Sequence, residues 1–531
     1  MNETHAHDAI ASGRTALGIE FGSTRIKVCL VDAENPATVF AVGSHDWENQ
    51  FVDRLWTYSL EAVWEGVQDA YRNLVADADR RYGIRPATFG AIGVSGMMHG
   101  YLAFDAEENQ LVPFRTWRNT NTASAAAELT EKFGVNIPLR WSIAHLHQAV
   151  VDNEPHVSQL NFFTTLAGYV HWKLTGRKVI GVGDASGMVP IDPATRDYDA
   201  TVVGLYNELV AGKSIPPLAH LLPTVLPAGA AAGNLTADGA ALLDPTGLLK
   251  PGVPFCPPEG DAGTGMVATN AVAPRTGNVS AGTSIFAMVV LEHPLTNVHH
   301  EIDLVTTPAG DPVAMVHCNN GASELAAWVS LFARFAEASG STADSDSVYE
   351  TLFREALDGE ADAGGLLAYN HLAGEPIVGL SEGRPLFVRT PDSRFTLANV
   401  MRAQLYGVFG TLALGMQILA DEGAELDQMF AHGGMFRTAG VAQRFLAVAL
   451  NAPVSVAETA SEGGPWGMAV LAAYLRHADT LLDDYLTDHV FAGATLHATT
   501  PDPAEVVGFA RYLERYRSGL DVERAAVESL V

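Results

Sequence analysis

Two short segments set a glycine and small hydroxyl residues between strand-like runs: Gly22, Ser23 and Thr24 between Ala16–Phe21 and Ile26–Asp32, and Gly282, Thr283 and Ser284 between Asn278–Ala281 and Ile285–Leu291. Tight turns of this kind offer backbone N–H groups and hydroxyls that converge on phosphate oxygens. A single such turn needs no ligand to explain it. Two copies, each near the start of one half of the chain, form a weak internal repeat that argues for a phosphate chain gripped twice. Glu20, on the strand before the first turn, offers a carboxylate where a magnesium ion would need an oxygen ligand, directly or through water.

Further candidates follow along the chain. Glu259, Gly260, Asp261, Ala262 and Gly263 read as a short acidic turn behind Pro257 and Pro258. Asp261 there can accept a hydroxyl proton, although an ordinary Asp-Gly turn has the same spelling. His99, in S-G-M-M-H-G, ends a strand expected over Phe89–Ser95, the end at which α/β sheets bind ligands. The glycine pairs Gly433–Gly434 and Gly463–Gly464 precede helical patterns, where they admit a flat base or simply open a helix. His145, His147, His299 and His300 lack partners at metal spacing, so no zinc site is expected. Neither G-x-x-x-x-G-K-[ST] nor a strand followed by G-x-G-x-x-G occurs, which removes the P-loop and the dinucleotide fold.

The elements that must position these residues are legible from periodicity. Leu60, Val63, Trp64, Val67, Tyr71, Leu74 and Val75 recur at helical spacing up to a stop at Gly83. Helical patterns return at 322–336, 397–420, 442–450 and 466–475, with a strand-like Pro453–Val456 among them. Leu226–Pro258, rich in Pro and Gly, reads as connecting loops, and the last fifty or so residues as partly helical. Hairpins followed by strand and helix alternation predict α/β domains with mixed sheets. At 531 residues the chain exceeds the ~250 to 300 that one core sustains, so two domains are expected, 14–265 and 266–531.

Charge narrows the partners. Sixty-one acidic against 32 basic residues give a formal charge of -29, which repels nucleic acid and anionic lipid. Cys29, Cys256 and Cys318 are far apart and cannot all pair, the polar N-terminus lacks a secretion signal, and no window approaches ~20 uninterrupted apolar residues. A cytoplasmic location is the expectation.

Taken in order, G-I-E-F-G-S-T-R-I-K, G-V-S-G-M-M-H-G, T-W-R-N, G-D-A-S-G (Gly183–Gly187), E-G-D-A-G, N-V-S-A-G-T-S, G-L-S-E-G with Arg402, H-G-G and E-G-G-P-W-G resemble the segments of the FGGY family of carbohydrate kinases from about Leu17 to Leu475. The resemblance implies a two-domain α/β fold of the actin/hexokinase-like (ribonuclease H-like) ATPase type with an interdomain cleft. It implies an N-terminal sugar-binding and a C-terminal nucleotide-binding domain. It also implies that Asp261 is the catalytic base, that Gly22, Ser23, Thr24, Lys27, Gly282 and Thr283 hold the phosphates of ATP with Mg2+, that Gly433 and Gly434 line the adenosine site, and that Met98 and His99 face the sugar. M-H-G resembles xylulokinases more than glycerol kinases, so D-xylulose is the first expectation and L-ribulose the second. Another polyol or hexulose remains open, as does an actin- or chaperone-like ATPase acting on a protein. A homodimer is compatible with all of these. The pattern is departed from at two places: Glu20 stands where the family carries Asp, and Arg118 and Asn119 stand where xylulokinases tend to have Asn or Met and then Asp.

Overall fold

Arg25–Asp32 is a strand that buries Ile26, Val28 and Leu30 on one face and, from Cys29 onward, its other face as well, and it pairs antiparallel with Thr15–Phe21, Phe21 opposite Ile26. Val39–Asp46 extends this meander on one side. On the other, Thr15–Phe21 pairs in parallel with Ala91–Gly96, which pairs in parallel with the two-residue strand Glu259–Gly260. Helix Leu60–Tyr82 covers one face; the Ser59 hydroxyl accepts from the Ala62 N–H at its start, and Gly83 in the left-handed region (φ 66°) ends it as the sequence predicts. Gly43 admits this helix, since a Cβ there would lie 2.1 Å from the Ala70 carbonyl oxygen.

The computed structural model describes residues 3–457, 463–494 and 496–530. They form two compact units, Met1–Ala273 with Asp303–Val313 and Thr459–Ala494, and Pro274–Ile302 with Ala314–Glu458 and Thr495–Val531. The chain therefore does not divide at a single point near residue 265. The late helix Gly463–Tyr474 belongs to the first unit because Gly18 lets it lie on Thr15–Phe21: a Cβ on Gly18 would sit 2.0 Å from the Pro465 oxygen and 2.5 Å from the Ala469 nitrogen. Glu462, the first residue of E-G-G-P-W-G, lies outside the described residues.

The second unit repeats the plan. Thr276–Ala281 and Ile285–Val290 form the hairpin, Gln428–His432 pairs in parallel with the first of these strands, and Val454–Ala457 follows in parallel. Helix Leu397–Asp421 is long and apolar enough to cross a membrane, but 78% of its most apolar stretch is buried inside the protein. Two stretches hold more structure than the sequence suggested. Leu226–Pro258 contains the helix Ala237–Leu243, opened by the Thr236 hydroxyl, and the C-terminal residues form one helix, Pro503–Ser529. The latter buries Phe509, Tyr512 and Tyr516, and its Glu505 meets Arg444 and the buried Arg402. Arg402 also donates to the carbonyls of Ala356 and Leu357, a bracing role within this unit.

The Gly18 contact is testable. Gly18→Ala should destabilise the first unit by about 1–3 kcal/mol through overpacking. Gly204→Ala, in helix Ala200–Leu209 with nothing within 4 Å, should instead stabilise by up to about 1 kcal/mol. Guanidinium unfolding of both variants checks the pair, and equal midpoints would remove the close approach as a constraint.

Candidate active site

Three parallel strands of the first unit end side by side, and their C-terminal ends carry most of the predicted residues. Thr15–Phe21 leads into Gly22, Ala91–Gly96 into Met97, Met98 and His99, and Glu259–Gly260 into Asp261. Glu20, Ser95 and Glu259 stand in register across the sheet.

The expected acidic turn at Glu259–Gly263 is instead a strand-to-helix junction. Glu259 and Gly260 pair with Ser95 and Gly96, and Asp261 begins helix Asp261–Ala268. Burial of Glu259 explains the difference, because a solvated turn has no use for a carboxylate at 1% exposure. Its oxygens accept from the Gly183 and Asp184 N–H groups at 3.4 and 3.0 Å, so G-D-A-S-G is tied to the junction. Gly181 permits this, since a Cβ there would lie 2.2 Å from Glu259 Oε1. Bonds to a charged group contribute about 1.5–3 kcal/mol each, less than the cost of burying an unpaired ionised carboxylate. Protonation is the consequence: burial first, then the neighbouring Asp184, pushes the Glu259 carboxyl up to about 8. Asp184, fully buried, is also pushed up to about 8 by burial, with Asp261 adding to it and the Thr165 hydroxyl, donating at 2.6 Å, opposing.

Asp261 accepts the Met98 N–H at 3.2 Å. Its side chain is open to solvent yet sits deep enough in the protein's mass that lost hydration raises its carboxyl above the usual range, against the backbone N–H groups it accepts. His99 adopts the left-handed conformation (φ 71°), a strained choice for a non-glycine residue. Its Nδ1 lies 3.1 Å from the Gly187 carbonyl, which can only accept, so Nδ1 carries the proton and Nε2 keeps its lone pair. Burial and then Arg140 lower its pKa well below the usual value, keeping the ring neutral. The ring stacks on Trp141, and Met98 lies against Gly187 and Gly260. Around this pair, Trp141 Nε1, Asp184 Oδ1 and both ring nitrogens of His145 are buried without a hydrogen-bond partner among the described residues. Sequence reasoning missed Trp141 and gave Glu259 and Asp184 no role; only burial distinguishes such carboxylates from surface ones.

The first turn is held from behind. Trp47 Nε1 donates to the Gly22 carbonyl at 2.7 Å, the Tyr58 hydroxyl to that of Ser23 at 2.5 Å, and the Trp47 N–H to that of Thr24 at 3.1 Å, with Trp47 and Tyr58 stacked at 4.1 Å. The turn's carbonyls are thus spent, while the Ser23 and Thr24 N–H groups have no partner among the described residues. The second unit does the same with other atoms: Gly321 and Ala322 donate to the Thr283 and Gly282 carbonyls at 2.7 and 2.9 Å. Gly433 (φ 114°) packs on this hairpin, where a Cβ would lie 2.3 Å from the Ala281 oxygen, while Gly434 has nothing within 4 Å. Lys27 lines an open depression of about 580 Å³ with Arg25, Ser44, Asn73 and Arg80, whose wall does not include the turn. Glu20 lies against Gly464, at whose Cα a side chain would meet its carboxylate.

Sequence profiles of the FGGY family of carbohydrate kinases match this chain over residues 15–268 for the N-terminal domain and 277–476 for the C-terminal domain. The chain belongs to that family. This carbohydrate kinase is 22% identical over 440 residues to a xylulose kinase of Haemophilus influenzae, covering 79% of the kinase and 82% of that protein. The xylulose kinase of Rhodospirillum rubrum shares its fold with a TM-score of 0.76 at 22% identity over 96% of this chain and 99% of that one. The gluconate kinase of Lactobacillus acidophilus does so with 0.77 at 17% over 97% and 98%. The mixed α/β two-domain architecture expected from sequence is the architecture of these kinases.

The buried carboxylates give a pH signature. The folded kinase keeps protons on Asp184 and Glu259 up to about pH 8, whereas the unfolded chain releases them near pH 4, so their contribution falls as pH rises between those values and is level above. Asp184→Asn retains an acceptor for Thr165 and has no proton to lose. Its stability relative to the parent should therefore climb from pH 5 to pH 8 in denaturant unfolding; parallel curves would show that Asp184 is ionised throughout.

Proposed function

We propose that this sugar kinase transfers the γ-phosphoryl group of ATP to a hydroxyl of a ketopentose, D-xylulose first and L-ribulose second. The observation that carries the reading is the meeting of Asp261, Met98, His99 and the first turn at the ends of three neighbouring parallel strands. In this reading the sugar-binding part is the unit that contains residues 14–265, completed by Asp303–Val313 and Thr459–Ala494, the nucleotide-binding part is the unit that holds most of 266–531, and the kinase acts on small molecules in the cytoplasm. Another polyol or hexulose is the competing acceptor. A coupled ADP-release screen across pentuloses, hexuloses, polyols and gluconate decides among them.

The residues divide the work. Asp261 takes the proton of the attacking hydroxyl, its orientation fixed by the Met98 N–H. Neutral His99 accepts a second sugar hydroxyl at Nε2, and Trp141 Nε1 and Asp184 Oδ1 are unspent groups that further hydroxyls can satisfy. Gly22, Ser23 and Thr24, with Lys27, hold phosphate in the first unit, Gly282 and Thr283 do so in the second, and Gly433 and Gly434 border the adenosine. When bound, ATP supplies the phosphoryl group and magnesium screens its charge. No group of three or more Asp, Glu, His or Cys among the described residues forms a metal cage. That fits an ion bound chiefly by phosphate and water, with Glu20 the carboxylate that serves it.

Asp261→Asn should keep sugar and nucleotide binding while losing about 10² to 10⁴ in turnover, because an amide accepts a hydrogen bond but takes no proton. Calorimetry beside a coupled rate assay checks this, and near-parent turnover would remove Asp261 from the mechanism. Glu20→Gln should lose magnesium-dependent activity far more than Glu20→Asp. Identical magnesium titrations for parent and both variants would leave Glu20 without a metal role.

A further inference from the structure

The departure at T-W-R-N has a structural answer for one residue and opens a question for the other. Asn119 is buried; its Oδ1 accepts the Trp56 N–H at 2.9 Å and its Nδ2 donates to the Trp56 carbonyl at 2.8 Å, fastening the segment to strand Leu55–Thr57. A carboxylate could not make the second bond. On the other side, Trp117 Nε1 donates to Ser23 Oγ of the first turn at 3.3 Å. Arg118 sits between these two anchors. Its guanidinium lies 3.7 Å from the centroid of the Trp56 ring, and Trp56 stands two residues before Tyr58, whose hydroxyl holds the Ser23 carbonyl. The side chain is exposed and has no carboxylate partner among the described residues, so its N–H donors are unspent. Arg25, by contrast, is engaged by Asp46 at 2.5 Å. In a chain of charge -29 the approach of a phosphate needs local cations, and a guanidinium braced on an indole face beside a turn with free N–H groups meets that need with little ordering cost.

We propose that Arg118 is a phosphate-contact residue of this kinase, donating to a terminal phosphate group at the first turn: either the γ-phosphate of the nucleotide or the phosphate of the sugar ester product. The proposal rests on the reading of the chain as an ATP-dependent sugar kinase. The test uses the full-length protein with Arg118→Gln, which removes the charge, and Arg118→Lys, which keeps it. Titration calorimetry with ADP and with AMP-PNP, and product inhibition by the ester purified from the parent enzyme's own turnover, separate the two sources. If the nucleotide is the source, Arg118→Gln weakens AMP-PNP about tenfold and ADP less than twofold. If the product is the source, both nucleotides hold and the ester's inhibition constant rises about tenfold. In either case Arg118→Lys recovers part of the loss.

A variant in which all three ligands bind within twofold of the parent, or weaken equally together with a lower Tm, would reduce Arg118 to a brace on Trp56 and overturn the proposal. A parent chain that turns over sugar but shows that result fails only here. One that binds no nucleotide fails the kinase reading and the proposal together.

Discussion

The buried carboxylate of Glu259 is the constraint on which the first unit's chemistry depends. It lies in a two-residue strand, too short to be held by ladder bonds alone, and grips the Gly183 and Asp184 N–H groups through a gap that only glycine at 181 leaves open. That grip sets the start of helix Asp261–Ala268 against the segment that supplies Gly187, whose carbonyl orients His99. Ser142 reinforces the arrangement, its N–H reaching Gly187 and its hydroxyl donating to Gly100. Asp261 and His99, the proposed base and sugar-facing residue, thus share one scaffold. Burial raises the Glu259 and Asp184 carboxyls alike, so the two lie side by side as protonated acids without like-charge repulsion across the cluster.

The two hairpins show one physical device reached twice with different atoms. A turn that would offer its carbonyls to an anion repels it, so the carbonyls must be spent elsewhere before the N–H groups are useful. The first unit spends them on indole, phenol and backbone donors, and the second on two backbone N–H groups at the start of helix Ser323–Ala338. Gly321 makes the second solution feasible, since a Cβ there would lie 2.3 Å from the Gly282 oxygen. Neither Trp47 nor Tyr58 belongs to a motif, and both are buried, so their role emerges only from the folded chain.

Much of the fold was legible because strand alternation, Gly83 and the helical stripes are local signals. The hairpins came within a residue or two of their observed bounds, and the helix expected from Leu60 begins there. Long-range closure was not legible. Nothing local in Gly463–Tyr474 says that it rejoins the first unit; the signal is the absent Cβ at Gly18, hundreds of residues earlier. Among the candidate residues, His99 was expected at a strand end, and Asp261 stood out only as part of a glycine-flanked acidic turn, which the structure replaces with the end of strand Glu259–Gly260. Asp184, Trp141 and Glu259 carried no such mark, because sequence distinguishes a carboxylate from an amide but not a buried carboxylate from a solvated one. Gly433 shows the converse: its conformation and its contact with Ala281 account for the glycine on packing grounds, leaving Gly434 as the residue with open space beside it.

The T-W-R-N segment joins these strands of argument. Asn119 replaces strand pairing with a side-chain amide that both accepts from and donates to Trp56, and that fixes the loop whatever its neighbour is. With the backbone held there and the Trp117 indole engaged on Ser23, the side chain between them is released from any structural duty to hydrogen-bond. A long cation in such a position would ordinarily be disordered in water, gaining little from a surface ion pair. Stacking on Trp56 limits its freedom while leaving every donor available. The amide at 119 thus makes an unpaired arginine at 118 useful, because it carries the positional load that would otherwise require Arg118 to spend its donors on the protein itself.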